Sequence, residues 1–157
     1  MWEFVEKKAG TGASGTITFS GLDGDTDKMY RVVLQGVQTG FVPVTVFGYF
    51  NGASTNMGTN TWYNSGGTWT KATTAGFMAL VDGGGARTYL DIVISADKTT
   101  GEAREFRSFG KFSTFVYWGT SWWTDTTTNL TSFSLVVSNN WQTDTEAWLY
   151  KLAQPDG

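Results

Sequence analysis

The side chains that most often carry out catalysis in proteins are missing from this sequence. Its 157 residues include no histidine and no cysteine. Their absence excludes cysteine nucleophiles, Ser-His and Cys-His pairs, disulfide bonds and nearly every kind of zinc site. The chemistry that remains is that of carboxylates, which can act as acids, bases or metal ligands, and that of aromatic side chains, which bind.

Four carboxylates in or beside predicted strands are candidates for the pair that a glycosidase uses. Such an enzyme places two carboxyl groups on either side of the bond it cleaves. The sequence does not fix the distance between these groups, and their positions bracket turns and alternate outward, as surface acids do. We therefore predict a protein that is not an enzyme and that needs no cofactor. The four acids are Asp82, Asp91, Glu102 and Glu105.

Three aspartates at alternate positions, Asp23, Asp25 and Asp27, form a candidate calcium site. Oxygen ligands at alternate positions of a loop suit a hard cation. An EF-hand loop, however, needs Gly at its sixth position and Glu at its twelfth, where this sequence has Lys28 and Leu34. The favoured interpretation is therefore a solvated hairpin turn that holds no metal, in which the Asp side chains stabilise the bend.

Aromatic side chains set among Gly, Ser, Thr and Asn are the main candidates for a binding surface. Flat rings beside small hydrogen-bonding residues suit the recognition of sugars, and Trp and Tyr also dominate the energetics of protein interfaces. A third interpretation, in which the rings fold inward and cap the ends of the core, is favoured over both. By contrast, Trp2, Trp141 and Trp148 fall in or beside strand-like runs and are predicted to be core residues. The candidate surface residues are Trp62, Tyr63, Trp69, Trp122 and Trp123.

Short alternating apolar and polar runs, separated by turn residues, extend along the whole chain. This period of two predicts β-strands. The 20 glycines and the 16% of aromatic residues favour pleated sheets that are joined by tight turns. About eight to ten strands with no convincing helix predict one all-β domain over residues 1–157, an antiparallel β-sandwich of jelly-roll type.

Turn residues and composition predict how the strands are connected. Asn51-Gly52 is a strong signal for a hairpin turn. Residues 51–75 are rich in Asn, Gly, Ser and Thr and are predicted to be a long loop, with short strands within it as an alternative. Residues 119–129 are predicted to be another loop. A single long strand, bent near Gly110, is expected over residues 104–118.

The charge of the chain restricts its partners. The net charge is −3, and the 11 Lys and Arg residues are scattered, so nucleic acid is not an expected partner. No apolar run approaches the roughly 18 residues that a bilayer span requires, and the amino terminus lacks the layout of a secretion signal. We expect synthesis in a host cytoplasm and no association with a membrane.

Several short segments resemble small tail-associated and particle-surface proteins of bacteriophages. The resemblance implies a non-catalytic component of the virion, often trimeric, that binds a viral capsid or tail protein. The short length of the chain favours a capsid decoration protein over a complete tail fibre. The segments are Trp2–Glu6, Ile17–Leu22, Tyr30–Leu34, the sequence Phe50-Asn51-Gly52, and Trp148–Leu152 near the end.

Two functions from different classes follow as expectations. A decoration protein would stabilise the capsid surface as a homotrimer, through a broad apolar face and terminal arms at about residues 1–8 and 153–157. A carbohydrate- or receptor-binding module of a tail or head fibre would instead present exposed Trp rings along a groove, where they contact glycan.

Overall fold

The computed structural model describes residues 1–36, 46–53, 57–65, 68–75, 88–97, 104–112, 115–125, 127–137 and 139–153. These residues form two antiparallel β-sheets, which confirms the predicted all-β sandwich. The large sheet has eight strands and the small sheet has three. The described strands thus number eleven, one more than the upper end of the expected range.

The strands of the large sheet lie in the order β1-β11-β3-β7-β8-β9-β5-β6, and those of the small sheet in the order β2-β10-β4. One helical turn, α1, precedes β3. The elements are β1 (Trp2–Ala9), β2 (Thr16–Ser20), α1 (Gly24–Asp27), β3 (Met29–Gly36), β4 (Val46–Phe50), β5 (Met57–Ser65), β6 (Thr68–Ala75), β7 (Thr88–Ser95), β8 (Arg104–Phe112), β9 (Phe115–Trp123), β10 (Ser132–Val137) and β11 (Glu146–Leu152).

The core lies between the two sheets and follows from the period of two along each strand. Val32 and Leu34 on β3 and Ile92 and Ile94 on β7 are buried, while the residues between them are only partly buried. Val and Ile are β-branched, and such side chains pack well on the pleated surface of a sheet. The alternation assigns one face of the large sheet to the core and leaves the other face outside.

Aromatic packing around Phe50 joins the two sheets. Its ring lies 4.9 Å from that of Phe106 on β8, in an edge-to-face arrangement, and 5.4 Å from that of Trp123 on β9. Within the small sheet, the ring of Phe133 is also 5.4 Å away. Rings at these separations and tilts attract each other beyond the gain from burial alone. Phe50 is thus a central contact between the sheets.

The tight turn predicted at Asn51-Gly52 is present, closed by a hydrogen bond from the Ala53 N–H to the Phe50 carbonyl at 2.8 Å. Both residues have positive φ, 49° and 71°, which Asn and Gly tolerate better than other residues. The Asn51 side chain also ties this turn to a neighbouring segment, because its Oδ1 accepts hydrogen bonds from the backbone N–H groups of Thr131 at 2.8 Å and Ser132 at 3.0 Å.

The predictions of two long loops and of one long strand were wrong. Residues 57–75 mostly form the antiparallel hairpin β5–β6, and residues 119–123 complete β9. Two strands, β8 and β9, occupy most of the segment that was predicted to be one strand. The polar side chains misled the prediction because Thr, Trp and Tyr are themselves good strand formers, whatever their polarity.

Two further segments differ from the prediction. The acidic stretch predicted to be a hairpin turn contains helix α1, whose first turn is capped by Asp23. The predicted arm at residues 1–8 lies mostly in β1, which pairs with β11 at one edge of the large sheet. Of the second predicted arm, Ala153 donates a backbone hydrogen bond to Met1 at 2.9 Å, and residues 154–157 lie outside the described residues.

We expect Asn51→Ala to lower the free energy of unfolding by about 2–3 kcal/mol, because it removes three hydrogen bonds that the side chain accepts and one that it donates, and it leaves a Cβ-bearing residue at positive φ. Denaturant unfolding measures this loss. Asn51→Gly is the control, since Gly tolerates the backbone and loses only the side-chain contacts. Equal stability of Asn51→Ala and the wild type would contradict this account of the turn.

Candidate binding surface

The outer face is the face of the large sheet that points away from the small sheet. Strand register places Trp62 on β5, Trp118 on β9 and Phe109 on β8 directly opposite one another on this face. The next residue in the same row is Asp91 on β7. We call Trp62, Trp118 and Phe109 the aromatic row.

The aromatic row is open to solvent where it crosses β8 and β9. The exposed fraction is 51% for Trp118 and 46% for Phe109. Trp62 is half-buried, and its ring stacks on that of Trp118 with centroids 5.4 Å apart and planes inclined by 30°. This offset stacking fixes the orientation of the exposed Trp118 ring.

A second row beside the aromatic row carries polar and charged side chains. Asn60 on β5, Thr120 on β9 and Arg107 on β8 face one another across the strands. The row continues through Val93 on β7 to Arg31 on β3. Rings therefore lie next to hydrogen-bonding groups over three adjacent strands, β5, β9 and β8.

The two arginines of this row differ in their partners. Arg31 donates two hydrogen bonds to Asp91, from Nε at 2.9 Å and from its second terminal nitrogen at 2.5 Å. The hydrogen bonds that Arg31 donates to Asp91 raise the pKa of Arg31, so both side chains stay charged and paired with each other. Among the described residues, the ion pair of Arg107 is a long contact of 3.8 Å to Glu105, and both of these side chains are about 70% exposed. Its guanidinium remains accessible.

Two shallow hollows lie on the outer face, and Trp118 and Arg107 line both of them. The first has a volume of about 270 Å³ and includes Phe109 and the Arg31–Asp91 pair in its lining. The second has a volume of about 540 Å³ and is lined by aromatic, amide, hydroxyl and carboxylate groups. Together they form a groove, which we call the Trp118 groove. Its remaining lining residues are Trp2, Val93 and Ser108 in the first hollow and Asn60, Glu105, Thr120, Ser121 and Trp122 in the second.

The structure separates the aromatic residues that the sequence grouped together. Trp62 and Trp122 lie on the outer face, and Trp122 lines the Trp118 groove. Trp123 points the other way: it is 2% exposed and belongs to the core, as inward packing predicted. Tyr63 and Trp69 lie in β5 and β6, but their side chains are outside the described part of the structure.

Sequence reasoning missed Trp118 and Phe109, the two most exposed rings of the groove. Both fall within the single long strand that the sequence predicts over residues 104–118. The available signal was the run Phe115-Val116-Tyr117-Trp118, which is apolar at every position. A strand with a covered face and an open face must then place an aromatic ring outside.

The three tryptophans predicted to be core residues have different environments. Trp141 is fully buried, as predicted. Trp2 and Trp148 are only half-buried, so the prediction was wrong for both. Register places Trp148 on the outer face, opposite Val33, and the Lys7 ammonium group lies 5.7 Å from its ring centroid. Such a cation–π contact suits a ring that is partly open to water.

Two of the three carboxylates of the candidate calcium site, those of Asp23 and Asp27, accept hydrogen bonds from protein donors. Asp23 accepts hydrogen bonds from the Thr26 hydroxyl at 2.8 Å and from Asn129 Nδ2 at 3.0 Å, and these contacts lower its pKa. Asp27 accepts a hydrogen bond from the Tyr30 hydroxyl at 2.7 Å. In the described part of the chain, no group of three or more acidic side chains is placed to hold a metal ion. The acidic stretch therefore caps and anchors a helical turn.

Two of the four candidate catalytic acids can be placed, and they are far apart. Asp91 is paired with Phe109, whereas Glu105 lies four residues from Phe109 on the same strand. Four residues of strand span about 13 Å, which is larger than the 5–10 Å range of carboxylate separations in glycosidases. Asp82 and Glu102 lie outside the described residues.

Comparison of the chain with protein-family models, with curated proteins and with solved structures found no match. The one helix in the described ranges is a single turn, and no helix there has the length and apolar character that crossing a membrane requires.

Replacement of Trp123 by Ala should lower the free energy of unfolding by about 3–5 kcal/mol, because it leaves a cavity beside Phe50. It also removes the ring that lies 4.8 Å from the buried Arg104 guanidinium. Trp118→Ala should cost less than about 1 kcal/mol, because the ring is half exposed. Equal losses in denaturant unfolding would show that the two rings are not on opposite faces of the sheet.

Stability should depend on the ionisation of Tyr30. Burial is the main cause that raises the pKa of its hydroxyl, and the hydrogen bond to Asp27 adds to it. Because the pKa of Tyr30 is higher in the folded protein, the neutral hydroxyl stabilises the fold fully below the pKa of about 10 that Tyr has in the unfolded chain. This contribution to the free energy of unfolding is lost as the pH rises above that value. Between about pH 9 and pH 11, the wild type should lose more free energy of unfolding than Tyr30→Phe. Parallel pH profiles for the two proteins would refute this role of Tyr30.

Proposed function

We propose that this protein is a non-enzymatic binding protein and that the outer face of the large sheet is its contact surface. Six large hydrophobic side chains among the described residues are exposed. Four of them, Phe4, Tyr89, Phe109 and Trp118, lie on the outer face by strand register. A concentration of exposed aromatic side chains on one face is typical of a contact surface. This observation carries the proposal.

The resemblance to bacteriophage particle-surface proteins supports a more specific form of it. In this form the protein is made in the host cytoplasm, becomes part of the virion, and stabilises the capsid surface as a homotrimer that binds a viral capsid or tail protein. The outer face suits such a contact because its aromatic side chains are carried on rigid strands, so little conformational entropy is lost on binding.

A second candidate function is the binding of carbohydrate by a virion-surface module. The observation that favours it is the Trp118 groove, where an exposed ring lies between hydrogen-bonding side chains. A subunit interface usually has an apolar centre with polar groups at its rim. Here Asn60, Thr120 and Arg107 are adjacent to the rings, which suits a hydroxyl-rich ligand.

Size-exclusion chromatography with light scattering tests the capsid form of the proposal. The full chain has a mass of 17.2 kDa, and we expect the mass of a trimer. The double variant Phe109→Ser, Trp118→Ser should dissociate it into monomers that keep the β-sheet circular dichroism of the wild type, whereas Val5→Ser, at an exposed edge position, should leave the trimer intact. A wild-type protein that is strictly monomeric and binds glycans would refute this form and support the second.

A further inference from the structure

We propose that the Trp118 groove binds an acidic oligosaccharide, with sugar sites on both sides of Trp118 and with Arg107 as the partner of a sugar carboxylate. This inference rests on the second candidate function and specifies its ligand. Three features of the groove support it: a fixed aromatic platform, one accessible cation, and neutral hydrogen-bonding groups beside them.

The aromatic platform is the ring of Trp118. It borders both hollows, so a chain of sugars that crosses the groove must pass over it. Its stacking on Trp62, at 5.4 Å, holds the ring in place before a ligand arrives. A site carried on strands is also more rigid than one carried on loops. The apolar face of a sugar ring can therefore stack on Trp118 at little entropic cost.

Arg107 is the group of the groove that can bind an anionic ligand. Arg31 and Asp91 neutralise each other through two hydrogen bonds and leave Arg107 and Glu105 as the other charged residues of the lining. The contact of 3.8 Å between Arg107 and Glu105 is too long for a hydrogen bond. The planar guanidinium group of Arg107 matches a carboxylate, which it can bind with two parallel hydrogen bonds. Because Arg107 lines both hollows, a carboxylate on either sugar can reach it.

Neutral groups in the second hollow complete the site. Asn60 supplies an amide and Thr120 a hydroxyl, and both can donate and accept hydrogen bonds. Sugar hydroxyls need such partners when they leave water. Small-molecule sites have volumes of about 300–1,000 Å³. The second hollow, of about 540 Å³, falls within this range, and the first, of about 270 Å³, is slightly below it.

Isothermal titration calorimetry tests the inference with the full chain and two probes, tetragalacturonic acid and its fully methyl-esterified form. An array of other uronate-bearing, sialylated and neutral glycans extends the comparison. We expect acidic glycans to bind at least tenfold more tightly than their neutral counterparts, and the difference to shrink at high salt. Arg107→Gln should remove this preference, and Trp118→Ala should weaken binding of both forms.

Lys111→Gln is the matched control for Arg107→Gln, because Lys111 is an exposed cation on the same face of β8 that does not line the groove. Tyr89→Ala is the corresponding control for Trp118→Ala. Equal affinity for acidic and neutral glycans would overturn the charge selection and leave the carbohydrate function standing. The absence of binding to any glycan on the array would overturn both. An equal loss from Lys111→Gln would show nonspecific attraction in place of a site at Arg107.

Discussion

The packing of Phe50 against Phe106, Trp123 and Phe133 fixes which faces of β8 and β9 are buried against the small sheet. Three strands of the small sheet supply the other side of this core. Once Phe106 and Trp123 point inward, the period of two turns their neighbours outward. The outer face, with Phe109 and Trp118, is therefore a direct consequence of the core.

This constraint explains why adjacent tryptophans have opposite roles. Trp122 and Trp123 are neighbours in sequence, yet one lines the groove and the other packs on Phe50. A one-residue slip of β9 would exchange them and place Trp118 in the core. The register of β9 is held on both sides, by β8 and by β5, so both roles depend on the same backbone ladder.

The fold class could be predicted from the sequence because alternation and turn chemistry are local signals. Asn51-Gly52 shows this well, since both residues adopt the positive φ that their types favour. The groove could not be predicted, because it depends on strand order. Asn60, Thr120 and Arg107 come from distant parts of the chain and meet only through the pairing of β5, β9 and β8. The strands β5 and β6 were mistaken for a loop because a Thr- and Asn-rich strand has the composition of a loop.

The central claim is that the Trp118 groove on the outer face binds an acidic oligosaccharide. The indole N–H resonances of the eight tryptophans test it most directly, in an NMR titration with tetragalacturonic acid. The account predicts that Trp118 and Trp122 shift on binding, whereas the buried Trp123 and Trp141 do not. Unchanged resonances for Trp118 and Trp122, or shifts confined to other tryptophans, would contradict it.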